Sequence, residues 1–116
     1  MKRYNVFITE DHQLFAEGLK SMLHDVDILQ VVGSSTTGSG TYEALRTMII
    51  DILLLDLNLP DTNGTEIIDF VKNNKMDTKI LIVSMYYEKS FINLARKRGA
   101  HGYVPKNVGK KQLVDT

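Results

Sequence analysis

Two rhythms of apolar and polar positions alternate along this chain. Short apolar runs of strand character recur, and between them apolar residues fall at helical spacing. Residues 4–9 read as a first strand, closed by the acidic pair Glu10-Asp11. Phe15, Leu19, Met22 and Leu23 then share one helix face, with Glu17, Lys20 and Ser21 off it. Gly18 inside that helix costs roughly 1 kcal/mol against Ala, which predicts close packing against a neighbouring element. Residues 28–33 predict a second strand, and 34–41 a mobile loop rich in Ser, Thr and Gly. Leu45, Met48 and Ile49, at i, i+3 and i+4, predict a short helix before the next strand.

That strand, residues 52–55, is four apolar residues in a row and predicts burial on both faces of a parallel sheet. It stops at the carboxylate of Asp56, and Pro60 with Asp61-Thr62-Asn63-Gly64 opens a loop. Ile67, Ile68 and Val71 mark the next helix. Residues 79–83 form a fourth, β-branched strand ending at Ser84. Phe91, Leu94 and Ala95 mark a helix whose last turn holds Arg96, Lys97 and Arg98, with Gly99 at C′. Gly102-Tyr103-Val104 is a short fifth strand followed by Pro105-Lys106, and residues 109–116 look like the start of a final helix, cut short.

Strand and helix thus alternate five times. The prediction is an α/β, flavodoxin-like (CheY-like) (βα)5 three-layer sandwich, with a parallel sheet in the order 2-1-3-4-5 and right-handed crossovers. This order has its switch point between strands 1 and 3, which puts Glu10-Asp11 beside Asp56 where ligands bind in such sheets. Ser84 and Lys106 leave the next two strands at the same edge.

Composition narrows the picture. A chain of 116 residues fits one domain with one core. Fourteen basic residues balance fourteen acidic ones, so this segment carries no electrostatic signature of nucleic-acid or membrane binding. There is no Cys, which excludes disulfides and thiolate metal sites and fits a reducing, cytoplasmic setting. No apolar run is long enough to cross a membrane, and the basic start, Met1-Lys2-Arg3, is followed by too short a run for a signal peptide.

Three crowded carboxylates raise one another's pKa unless a cation intervenes. Neither strand 1 nor strand 3 has a Lys or Arg near its acids, which points to a hard divalent ion; Mg²⁺ takes such oxygen ligands and often completes its shell with phosphate. Lys106 and the Ser84 hydroxyl could grip that phosphate, and an Asp beside the metal could itself accept a phosphoryl group. Taken singly, these residues also read as a solvated acid pair at a helix start, a surface lysine and a helix N-cap. Their specificity lies in falling at the same end of four strands.

At this point the residues match a family. Glu10-Asp11, Asp56-Leu57-Asn58-Leu59-Pro60 with Gly64, Ser84, and Gly99-Ala100-His101-Gly102-Tyr103-Val104-Pro105-Lys106 together resemble the receiver domain of two-component response regulators over the whole length, 1–116. Glu10-Asp11-His12 and the Gly-Ala-x-Gly-Tyr-x-x-Lys form are most similar to the NarL/LuxR-type subfamily. The resemblance implies that Asp56 accepts phosphate from a sensor histidine kinase. It implies Mg²⁺ on Asp11, Asp56 and the Asn58 carbonyl, with Glu10 holding metal water, and Lys106 pairing with the carboxylate or phosphoryl group. Ser84 and Tyr103 would be the switch pair, the Tyr103 ring turning from exposed to buried. The only chemistry implied is phosphorylation and dephosphorylation of Asp56 itself, with no other enzymatic reaction. The subfamily acts on DNA through a C-terminal helix-turn-helix domain, which this chain does not contain, and often forms homodimers through its first and last helices.

Besides the helix-turn-helix domain, two departures within the motifs stand out. Pro105 precedes Lys106 and Asn107 follows it, where many receivers have Lys-Pro. Met85 is larger than the small residue common beside Ser84 and would narrow access to Asp56. Tyr86, with Asn58, is expected to flank the path of hydrolytic water. The rival readings are a stand-alone regulator, a receiver-like module that works without phosphorylation, a haloacid-dehalogenase-type phosphohydrolase and a flavodoxin-like cofactor binder. The phosphohydrolase wants an Asp where Asn58 stands, and the cofactor binder wants a phosphate loop where Thr9-Glu10-Asp11 repels phosphate.

Overall fold

A computed structural model describes residues 3–84 and 89–106. Its five strands are β1 (Tyr4–Thr9), β2 (Leu29–Ser35), β3 (Ile52–Leu55), β4 (Lys79–Ser84) and β5 (Gly102–Pro105). They form one sheet in the order β2-β1-β3-β4-β5, with every pairing parallel. The described helices are α1 (Gln13–Leu23), α2 (Gly38–Thr47), α3 (Gly64–Asn73) and α4 (Lys89–Arg98). The expected order and alternation are therefore present. The segment 109–116, read as a final helix, lies outside the described residues, as do Met85, Tyr86 and Asn107.

Strand periodicity divides the core in two. Val6, Ile8, Leu54, Val83 and Val104 face α1 with Ala16, Leu19 and Leu23. Their chain neighbours Phe7, Leu53, Leu55, Ile82 and Tyr103 face the opposite way, among side chains of α2, α3 and α4. Because β3 contributes to both faces, it reads as a continuous apolar run, and Leu53 and Leu55 have no exposed surface at all. Each such side chain contributes about 1.5–3 kcal/mol on burial.

Several local expectations are corrected. The second strand starts at Leu29 and runs on to Ser35, and α2 begins at Gly38, so the expected 34–41 loop shrinks to Thr36 and Thr37. Helix α2 ends at Thr47, leaving Met48 and Ile49 exposed after it; its inward face is Thr41, Ala44 and Leu45. A Cβ on Gly18 would meet nothing within 4 Å, so that glycine serves no close packing. Gly99 does adopt the left-handed φ of 121° expected of a helix-ending residue. Gly64 has a different task. A Cβ there would lie 2.7 Å from Leu57 Cα and 2.9 Å from Asp56 O, so only glycine lets α3 start this close to the end of β3.

Candidate functional site

The parallel registers carry β1, β3, β4 and β5 to one common edge. Thr9 pairs with Leu55, Leu55 with Ile82, and Ser84 with Pro105. Past these pairs the backbone bonds continue: Asp56 N donates to Thr9 O (2.9 Å) and Lys106 N to Ser84 O (2.9 Å). The sheet thereby gathers Glu10, Asp11, Asp56, Ser84 and Lys106 in one place. Glu10, Asp56 and Ser84 are each at most 3% exposed.

Asp56 Oδ1 accepts from Asn58 N–H (3.1 Å), and Oδ2 accepts from Lys106 Nζ (3.2 Å). The same ammonium stands 2.6 Å from Glu10 Oε1. Glu10 Oε2 accepts from His12 N–H (3.0 Å), and His12 Nδ1 lies 3.2 Å from both Glu10 Oε2 and Asp11 Oδ1. The third neighbour of Lys106 is the ring of Phe15, whose centroid is 4.9 Å from Nζ. The sequence offers no cation close to the acids along the chain; the fold supplies one from β5.

Burial and neighbours drive these groups apart. Burial pushes Asp56 up, and Glu10 beside it adds to the effect; the Asn58 N–H and Lys106 oppose it, and the balance lies at about 7. Burial would raise Glu10 as well, yet Lys106 and the His12 N–H outweigh it and hold Glu10 well below the usual carboxylate range. Lys106 is raised despite its burial, because both carboxylates favour its charged form. The pair of acids thus holds one firm negative charge on Glu10 and a second that is costly on Asp56.

The donor set suits a hard divalent cation. Carboxylate oxygens of Glu10, Asp11 and Asp56 and a ring nitrogen of His12 lie within 4.8 Å of one another. Asp11 Oδ1 is buried and accepts no hydrogen bond among the described residues, with His12 Nδ1 3.2 Å away, while Glu10 Oε1 is held by Lys106. Beside them opens a cleft of about 580 Å³, lined by Asp11, Asn58, Thr62 and Asn63 among others. Oxygen-rich and open to water, it fits Mg²⁺ with part of its hydration shell retained.

Ser84 and Tyr103 lie on adjacent strands. Ile82 pairs with Tyr103 and faces the α2–α4 side, and Ser84, two residues on, falls on that same face. Tyr103 is only 8% exposed, so its ring already points inward, contrary to the exposed starting position expected from sequence. His12, Phe15 and the pairing of Lys106 with Glu10 were not anticipated. The only sequence hint for Phe15 was its place on the apolar face of α1, next to the end of β1.

Comparison with known proteins gives a consistent picture. The family model described as "Response regulator receiver domain" matches residues 6–116. The transcriptional regulatory protein DegU of Brevibacillus brevis is 30% identical over 97% of this chain and 48% of that protein. The response regulator GacA of Pseudomonas aeruginosa is 30% identical over 94% of this chain and 51% of that protein. The chain therefore spans about half the length of the curated relatives it matches. Among solved structures, the signal receiver domain of NarL from Mycobacterium tuberculosis superposes with a TM-score of 0.93 at 26% identity, covering 99% of this chain and 93% of that one. A two-component response regulator of the LuxR family from Aurantimonas superposes with a TM-score of 0.90 at 26% identity, covering 98% and 81%.

Proposed function

The chain belongs to the response regulator receiver domain family, and from that premise we propose that it is a phosphorylation-dependent switch with Asp56 as the phosphoacceptor. The observation that carries this reading is the Asp56 carboxylate at the end of β3, with the Lys106 ammonium on one oxygen and Glu10 and Asp11 alongside. An Asp56 oxygen bonds to phosphorus as the phosphorus–nitrogen bond of a sensor kinase's phosphohistidine breaks, and the electron pair leaves with the imidazole. Asp56 must be ionised to attack, and Lys106 favours that state. Asp11, Asp56 and the Asn58 carbonyl would hold Mg²⁺, with Glu10 on its water. Bound there, the ion would neutralise charge on the phosphoryl oxygens and ease the ionisation of Asp56.

Once phosphorylated, Asp56 carries about −1.5 to −2 charge and new acceptor oxygens. The Ser84 hydroxyl donates to one of them, and its movement repacks the pocket around the buried Tyr103. The change then reaches α4 and β5. We infer output through a C-terminal DNA-binding domain of the LuxR type, controlling transcription in the cytoplasm, with a homodimer as one route to it; in support, one matched relative is named a transcriptional regulatory protein and one solved neighbour a LuxR-family regulator. No described helix is long and apolar enough to cross a membrane.

The test is intact mass after incubation with acetyl phosphate and Mg²⁺. We expect a gain of one phosphoryl group in the wild type and none in Asp56→Asn. A gain that persists in the variant would place the acceptor elsewhere; no gain in the wild type would favour an interaction module that works unphosphorylated.

A further inference from the structure

We propose that Phe15 is a positioning residue for Lys106, its ring face holding the ammonium in line with Glu10 and Asp56. The inference rests on the role given to Lys106 above and adds a residue to it. Phe15 is the third residue of α1, half-buried and packed with the α1 side of the core. Its centroid is 4.9 Å from Lys106 Nζ, inside the range in which an ammonium is drawn to the negative face of an aromatic ring.

The three N–H directions of the ammonium explain why a ring matters here. One neighbour is Glu10 Oε1 at 2.6 Å, a second is Asp56 Oδ2 at 3.2 Å, and the third side is closed by Phe15. The Lys106 side chain is only 7% exposed, so water competes little for that third side. Lysine ends a flexible four-carbon stem, and two carboxylates alone leave the ammonium free to follow Glu10, the closer and more firmly charged partner. A ring face on the remaining side opposes that drift and keeps Nζ within reach of Asp56. An aliphatic residue of similar volume would fill the space without attracting the charge.

Shape and charge attraction separate in a fluorination series. Phenylalanine at position 15 is replaced by mono-, di- and trifluorophenylalanine, which keep the ring's outline and progressively weaken its negative face. Phosphorylation by acetyl phosphate with Mg²⁺ is then timed, and the melting temperature measured alongside. We expect the rate to fall stepwise, to about a tenth at the end of the series, with melting little changed. Phe15→Tyr should keep most of the rate and Phe15→Leu should lose it. A second readout needs no phosphorylation: the Lys106 Cε protons should show an upfield ring-current shift that Phe15→Leu abolishes. A flat rate across the fluorinated series, or Lys106 protons without a ring-current shift, would overturn the proposal. If Lys106→Ala is phosphorylated as fast as the wild type while the ring-current shift is present, the role of Lys106 fails and the contact stands as packing alone.

Discussion

With Glu10 ionised and almost fully buried beside it, a second negative charge on Asp56 strains the folded state. The sign follows from proton counting. The folded protein keeps the Asp56 proton up to about pH 7, whereas an unfolded carboxyl loses it near 3.8. Between those values the native state binds more protons, so this group's contribution to stability falls as pH rises and is lowest above 7. Asp56→Asn removes the charge and keeps the shape. Without divalent ions at pH 8 the variant should melt several degrees above the wild type, since about 1 kcal/mol moves a domain of this size by roughly 4–8 °C. The gap should narrow as pH falls through 5 and close only near pH 3.8, where the carboxyl is protonated in both states. Equal melting at pH 8, followed by circular dichroism, would show that Lys106 already neutralises the site. At this scale the acids were legible because each follows a strand, and position in the chain gives the end of a strand directly. The Lys106–Glu10 pair, His12 and Phe15 were not, because side-chain neighbours across β1, β5 and α1 follow from how the elements pack, which no local pattern records.

Helix α2 shows how an element can be built from residues that locally favour a loop. Thr36 to Gly40 is a run of Thr, Gly and Ser, turn formers by propensity. What makes a helix there is that its four free N–H groups find acceptors. Thr37 N (3.1 Å) donates to Ser35 Oγ, Gly38 N (2.7 Å) and Ser39 N (3.0 Å) to the two carboxylate oxygens of Asp61, and Gly40 N (3.1 Å) to Thr37 Oγ1. Asp61 belongs to the loop between β3 and α3, so its contribution is invisible from the α2 sequence. A Cβ on Gly38 would sit 2.2 Å from Thr62 Cγ2, so the loop also rests directly on the helix end. That loop carries Asn58, whose N–H holds Asp56. Asp61→Ala should therefore lower the denaturant midpoint and speed amide exchange at Gly38 and Ser39, with Asp61→Asn between it and the wild type. The two N–H donors hold the Asp61 pKa down, so its contribution is present at neutral pH and fades as pH drops through the acid range. Unchanged exchange at both amides in Asp61→Ala would mean that water or another group caps the helix equally well.

The molecule as a whole converts strand order into a binding site. Alternating periodicity was enough to read the sheet, because each crossover helix forces a parallel neighbour and the order β2-β1-β3-β4-β5 then brings β1 beside β3. Glu10, Asp11 and Asp56 come within a few ångströms only when that sheet exists; in the unfolded chain Asp56 is far from the other two. A divalent ion that bridges them binds the native state and not the unfolded one, and so it must stabilise the fold by mass action. At a free Mg²⁺ concentration one hundred times its dissociation constant the gain is about 2.7 kcal/mol. The melting temperature should rise steadily with Mg²⁺, and a monovalent salt at matched ionic strength should not reproduce the rise. The gain should be largest above pH 7, where Asp56 is ionised only at a cost that the ion would offset. Asp11→Asn removes one of the charges and should flatten most of the response, while leaving the metal-free protein folded, because Asp11 is part-exposed and contributes nothing to either core cluster. Calorimetric titration checks the assignment directly: an Asp11→Asn protein that still binds and melts with Mg²⁺ as the wild type does would place the ion away from the end of β1 and leave the three carboxylates to Lys106 alone.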